Sequence, residues 1–225
     1  TQTQNSYNIG SDVLSFNTTY YWKVVPYNEF GDCAEPEVWL FKTMPDPTVT
    51  VYPMVENFDN TLNISGKFDK PLGWTLEDTN NDRATWDMVN FPPAIQGFTR
   101  NDSKGAIHVP FHIINPKNDW LFSPPLSMKA GKNYTIELYI HTMVDYTTGL
   151  VYNEKISVWL GKNRVSTAMT DSLAYDNINQ ATTWKKVQAS YTPTKDTVYY
   201  FGLHEISAHD QYVLIVDDLT ITETK

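Results

Sequence analysis

Cysteine is all but missing from this sequence: Cys33 is the single one among 225 residues, so no internal disulfide can staple the chain. No Cys/His set has the spacing of zinc ligands either. Apolar runs are short, and none approaches the roughly 20 residues that cross a bilayer as a helix, so membrane insertion is not expected. Basic residues are outnumbered, 17 against 26 acids, and the resulting net charge of −9 would repel a phosphate backbone. Nucleic acid is therefore not an expected partner. Catalytic signatures are equally scarce, with no G-x-S-x-G elbow, no phosphate-binding glycine loop and no nucleophilic cysteine with a partner histidine. The run from His204 to His209 separates its two histidines by one residue too many for the metalloprotease helix H-E-x-x-H. A non-enzymatic role is expected.

Helical periodicity, internal repeats and low-complexity tracts are also absent, and what remains is the signature of strands. Short runs rich in Val, Thr, Tyr, Ile and Trp recur at Ala106–Val109, Trp120–Phe122, Tyr134–His141, Lys155–Leu160, Lys186–Tyr191, Thr197–His204 and Tyr212–Ile221. Turn signals separate them, among them 129–132 (KAGK), 161–163 (GKN) and 193–196 (PTKD). Many short strands with regular punctuation predict an all-β sandwich.

The first stretch, residues 1–44, reads differently. In 18–31 (TTYYWKVVPYNEFG), alternating residues lead into a turn, and 38–42 (VWLFK) follows at hairpin distance. These residues resemble the closing strands of a fibronectin type III domain, but too few residues precede Tyr20 to supply the rest of such a sandwich. An isolated hairpin is marginal in water, so this one is expected to pack on the following domain or to borrow strands from another chain. A proline-containing stretch, 45–53, reads as a stiff extended linker, and residues 54–225 as the main domain.

Within that domain the motifs VENFDN, LGWTLEDTNNDRATW, NDWLFSPPLSMKAGKNYTIELYI, NEKISVWLG, TWKKVQASYTPTKDTVYYFGLHEIS and DQYVLIVDDLTI follow one another. Their kind and order resemble the cleaved adhesin family, also described as choice-of-anchor J domains, the jelly-roll modules of gingipain-type haemagglutinin regions. The resemblance implies a jelly-roll β-sandwich, a structural calcium ion, and an extracellular or cell-surface location on a bacterium. It also implies adhesion to host or matrix proteins or to glycans, with other domains on the same polypeptide. The chain departs from the family's D-x-D-G-D-G loop, lacking its glycines between Asp78 and Arg83.

Two acids stand out in the last strand. Asp217 and Asp218 interrupt an apolar run, and strict alternation places Asp217 on the face of Leu219 and Ile221. An inward carboxylate needs a partner, because burying it alone costs several kcal/mol or more. By the same alternation Glu56 shares the face of Phe58, so a calcium ion held by Glu56 and Asp217, with Asp59 and Asp218 beside them, would tie the first strand to the last. The alternative is that these are strand-end acids facing water or paired with a lysine. Asp78, Asn80 and Asp82 have D-x-N-x-D spacing and form a lesser metal candidate, although Arg83 stands where an EF-hand needs glycine. For the ligand, the loop aromatics Phe91, Phe98, Tyr146, Tyr152 and Tyr175 are the best placed, since loops on rigid scaffolds carry function. The expected role is a non-catalytic adhesion or ligand-binding module; the alternatives are a carbohydrate-binding accessory domain of a secreted hydrolase or protease, or a structural spacer.

Overall fold

The computed structural model describes residues 6–10, 13–59, 70–89, 99–101 and 103–225. The chain divides into two units, Thr1–Pro47 and Thr48–Lys225.

The first unit holds β1 (Thr19–Lys23), β2 (Tyr27–Asn28), β3 (Gly31–Asp32) and β4 (Val38–Lys42). Antiparallel pairing of β1 with β4 sets Trp22 opposite Trp39 and Tyr20 opposite Phe41. Their rings lie 4.8 Å and 5.7 Å apart, cross-strand aromatic pairs of the kind that stabilise a ladder. Even so, Trp22 stays 49% exposed and Leu40 63%, so among the described residues this ladder has no core of its own.

The second unit begins inside the expected linker, where Val49 bonds to the backbone of Pro125 and Ser127 at 2.8 Å and 2.9 Å. Its strands are β5 (Met54–Glu56), β6 (Thr75–Asp78), β7 (Asp87–Val89), β8 (Ala106–Pro110), β9 (Asp119–Phe122), β10 (Leu126–Met128), β11 (Asn133–His141) and β12 (Glu154–Gly161). β13 (Met169–Ile178), β14 (Lys185–Tyr191), β15 (Thr197–Glu205) and β16 (Val213–Thr224) complete it. One sheet runs β14-β11-β16-β8-β7 with β5 also on β16; the other runs β13-β12-β15-β9-β6 with β10 also on β15. Alternate residues of each sheet meet in one core: Tyr134, Ile136, Leu138 and Ile140 from one side face the same interior as Val158, Leu160, Phe201 and Leu203 from the other. The result is an all-β, jelly-roll-like sandwich, as the strand pattern predicts.

The alternation argument fails at one place. Along β16 the core residues are Leu214 and Val216, then Leu219 and Ile221, so the phase changes between them. Asp218 has φ 48°, and the pairing with β11 jumps from Glu137↔Thr220 to Tyr139↔Asp217. That is a β-bulge, which adds a residue and swaps the faces. Asp217 therefore sits on the outer face with Tyr139, not on the face of Leu219, yet it is fully buried.

The other sheet's outer face is also covered. Glu77 on β6 accepts hydrogen bonds from the amide and hydroxyl of Ser166 at 2.7 Å and 2.9 Å, and Arg164 donates to the Gly73 carbonyl at 3.0 Å. The β12–β13 connection thus crosses over β15 and β9 to reach the far edge strand. Under it lie Trp120, Phe122 and Met169. Gly202 makes room there, since a Cβ at that position would stand 3.1 Å from the Trp120 ring.

Candidate functional site

Asp217 lies beneath the segment before β8. Its Oδ2 accepts from the Arg100 amide and the Ser103 hydroxyl, both at 2.8 Å, and its Oδ1 from the Asp218 amide at 2.7 Å. Asp218 pairs with the Arg100 guanidinium, which also lies 3.4 Å above the Tyr139 ring. Asp59 accepts the amides of Lys104 and Gly105, and Glu56 accepts the Phe58 amide at 2.9 Å. Burial pushes the Asp217 carboxyl up to about 6 and raises Glu56 as well. Three of the four acids expected to hold calcium, Asp59, Asp217 and Asp218, thus clasp one segment, 100–105. Their oxygens face N–H, O–H and guanidinium donors, which a cation would have to displace. As placed, this group does not fit a calcium ion.

The Asp78 loop has a different donor set. Asp78 accepts the Asp82 and Arg83 amides at 3.3 Å and 2.9 Å, and Asn81 and Arg83 take positive φ, 55° and 70°, to wind the turn without glycine. Asn80 donates to Asp82 and to the Pro116 carbonyl, while its own Oδ1 is buried without a partner. Asp119, on the neighbouring strand opposite Asp78, is fully buried; its Oδ1 is likewise unpartnered, and burial pushes its carboxyl up to about 6. Asn80 Oδ1 and Asp119 Oδ1 are thus buried, unpartnered hard oxygens of the kind calcium takes, while the carboxylates of Asp78 and Asp82 already accept N–H donors that a cation would have to displace. Among the described residues, no three Asp, Glu, His or Cys side chains are already gathered as a metal cage.

The acid row continues inward. Asp119 faces Glu205 across β9 and β15, and Glu154 points to the same interior two residues before Ile156. Glu154 and Glu205 are both fully buried, and among the described residues one ammonium, Lys117, answers them, 3.1 Å from Glu154, 3.9 Å from Glu205 and 3.2 Å from the Val109 carbonyl, while Glu205 also accepts the amide and hydroxyl of Ser207. Burial raises the Glu205 carboxyl well above the usual range, with Glu154 adding to the effect and Lys117 opposing it.

At the loops a third arrangement forms. Tyr146 and Tyr152 are brought into one cleft of about 280 Å³ with Phe111 from the end of β8 and Tyr212 from the start of β16. Asp145 and Asp210 line it too, with Thr147 and Thr148. The 145–150 loop is shaped by Asp145, which accepts from the Thr147 amide at 2.8 Å and the Thr148 hydroxyl at 2.9 Å, and whose amide bonds to the Leu150 carbonyl at 2.9 Å. Those bonds, the Thr147 amide foremost, hold the Asp145 carboxyl below its ordinary range. Tyr175 is not among the lining residues; it stands on β13, 60% exposed. Phe91 and Phe98 lie outside the described residues.

Sequence reasoning missed Phe111, Tyr212, Asp145 and Asp210 in this cleft, and the trio Lys117, Glu154 and Glu205. The two glutamates carried a signal: each continues, two residues on, an alternating core run, Glu154 before Ile156 and Val158, Glu205 after Phe201 and Leu203. Phe111 carried none, being one aromatic beside a proline.

No family model and no curated protein matches this sequence. Solved structures do. The K1 cleaved adhesin domain of Lys-gingipain from Porphyromonas gingivalis W83 is similar over 78% of this chain and 100% of its own, with TM-score 0.59 and 17% identity. The K3 domain covers 75% and 97%, with TM-score 0.55 and 18% identity. The K2 domain covers 76% and 99%, with TM-score 0.56 and 15% identity. At this identity the likeness is one of fold.

Proposed function

We propose that this chain is a non-catalytic binding module of a larger bacterial extracellular or cell-surface protein, engaging host or matrix protein, or glycan, at the Phe111–Tyr146–Tyr152–Tyr212 cleft. The observation that carries the reading is the convergence of those four aromatics, from three separated segments, at one end of a rigid sandwich. The strap over the outer face of the β13-to-β6 sheet supports it, because that broad surface is taken up by the chain itself. The fold shared with domains named as adhesins agrees with an adhesive role. Solid-phase binding to immobilised matrix proteins, run beside a glycan array, tests it: binding that falls at least about tenfold in Tyr146→Ala supports the cleft, by the weight such aromatic anchors carry. Unchanged binding in that variant rejects it. A sugar hit favours the second reading, a carbohydrate-binding accessory domain, since aromatic faces also stack on sugar rings. Silence in both assays favours a spacer.

A structural calcium ion is part of the same proposal, held by Asp78, Asn80, Asp82 and Asp119, where it would tie the loop after β6 to β9. Its chemistry would be cross-linking of hard oxygens, not catalysis. Melting with and without EDTA, with metal analysis, checks it: a lower midpoint in EDTA is expected, and an unchanged midpoint with no metal found removes calcium from the account.

A further inference from the structure

The cleft just proposed as the binding site is acidic as well as aromatic, a combination that favours a cationic ligand over a neutral one of the same shape. Asp145 and Asp210 both line it, and no lysine or arginine does. The Thr148 hydroxyl donates to Asp145, and the Tyr152 hydroxyl lies 3.5 Å from the same oxygen, so two of the lining's hydroxyls are turned toward its own carboxylate. The Asp210 carboxylate, at the exposed rim, has no hydrogen-bond or ion-pair partner among the described residues. Phe111 and Tyr212 lie with ring centroids 6.3 Å apart, tilted by 31°, and Tyr146 is 75% exposed, so ring faces remain open to an incoming group.

We propose that this cleft is a cation-accepting aromatic cage whose ligand is an alkylammonium group, namely a lysine side chain presented by a protein partner. The faces of aromatic rings carry negative charge density and attract an ammonium within about 6 Å of the centroid. Two carboxylates at the rim add a direct Coulombic pull and steer the cation in. A lysine suits the shape, because its methylene stem can lie along Phe111 and Tyr212 while the ammonium reaches the acids. The net charge of −9 raises the local concentration of any basic partner. This inference rests on the proposed use of the cleft and narrows it to one ligand chemistry.

Four small probes test it by NMR titration of the Tyr146 and Tyr212 ring signals: Nα-acetyl-lysine N-methylamide, choline, 3,3-dimethylbutan-1-ol as the uncharged isostere of choline, and methyl β-glucoside. The lysine derivative is expected to give a saturable shift that weakens as salt is added. The uncharged isostere should bind about tenfold more weakly than choline, and Tyr146→Ala should weaken lysine binding about tenfold. Asp210→Asn, an exposed substitution that leaves the fold alone, should weaken it about threefold. Equal binding of choline and its isostere overturns the proposal, as does the absence of saturation by the lysine derivative at about 50 mM. Binding of choline without the lysine derivative overturns the protein source in favour of a headgroup, and binding of the glucoside alone makes the cleft a sugar site. If the cations bind but Tyr146→Ala leaves matrix-protein binding unchanged, the cage stands and the adhesive use of the cleft fails.

Discussion

Two groups of buried acids, one on each sheet, are neutralised by opposite means. Asp217 is answered by several donors, two amides and a hydroxyl, with the Arg100 guanidinium beside it on Asp218. Glu154 and Glu205 share one ammonium, Lys117; Glu205 adds the amide and hydroxyl of Ser207, and each acid keeps an oxygen without a partner. Distributed donors make the first site tolerant, because losing one leaves the others. Reliance on a single cation makes the second more brittle, because without it Glu154 has no cation beside it among the described residues and Glu205 keeps only the Ser207 amide and hydroxyl.

The largest test of that contrast is Lys117→Met, which keeps the stem and removes the charge. A loss of about 3–5 kcal/mol is expected in urea unfolding, the range for breaking a buried pair. Arg100→Met should cost only about 1 kcal/mol, since its ion pair is partly exposed and Asp217 keeps its amide donors. Equal losses would erase the distinction. A pH effect is expected between 4.5 and about 8. Glu205 has a raised folded pKa, so the fold holds its proton where the unfolded chain has lost it, and stability falls as pH rises through the folded value. Glu205→Gln should flatten that fall, read as melting midpoint against pH. An effect of the opposite sign belongs to His204, whose ring stacks on Trp120 at 3.9 Å and is pushed down by burial to about 4. Below the ordinary 6.5 the unfolded chain takes up a proton that the fold refuses until about 4, so stability drops as pH falls across that window. Asp119 and Asp217, raised to about 6, act in the opposite sense, so His204→Gln compared with the unaltered chain is the measurement that isolates the histidine.

Much of the sandwich is legible from alternation alone. The runs Tyr134–His141 and Lys155–Leu160 come within a residue of the observed β11 and β12 at either end, because apolar residues at every second position leave one consistent way to face a core. β13 was not legible. Its MTDSLAYDNI has no apolar alternation, since as an edge strand it needs to bury little, and most of its residues are exposed or half-buried. Asp217 was legible as an acid requiring partners but not as to its face, because a bulge leaves no mark in residue type when an aspartate rather than a glycine takes the positive φ. The aromatic cleft was half legible. Tyr146 and Tyr152 are close in sequence, while Phe111 and Tyr212 reach them through the β8–β16 pairing, a long-range contact that local pattern does not encode.

The bulge at Asp218 also bears on how the strand finds its place. A ladder of uniform alternation can slip by two residues and still bury an apolar face, so its register is weakly defended. β16 cannot slide in that way: Val216 and Leu219 are three apart, and only the register with the extra residue opposite β11 lets Leu214, Val216, Leu219 and Ile221 all enter the core together. The irregularity is a notch in a key. Deleting Asp218 would restore uniform spacing, bring the four core residues onto one face without the notch, and leave β16 free to settle in registers that the native chain rejects.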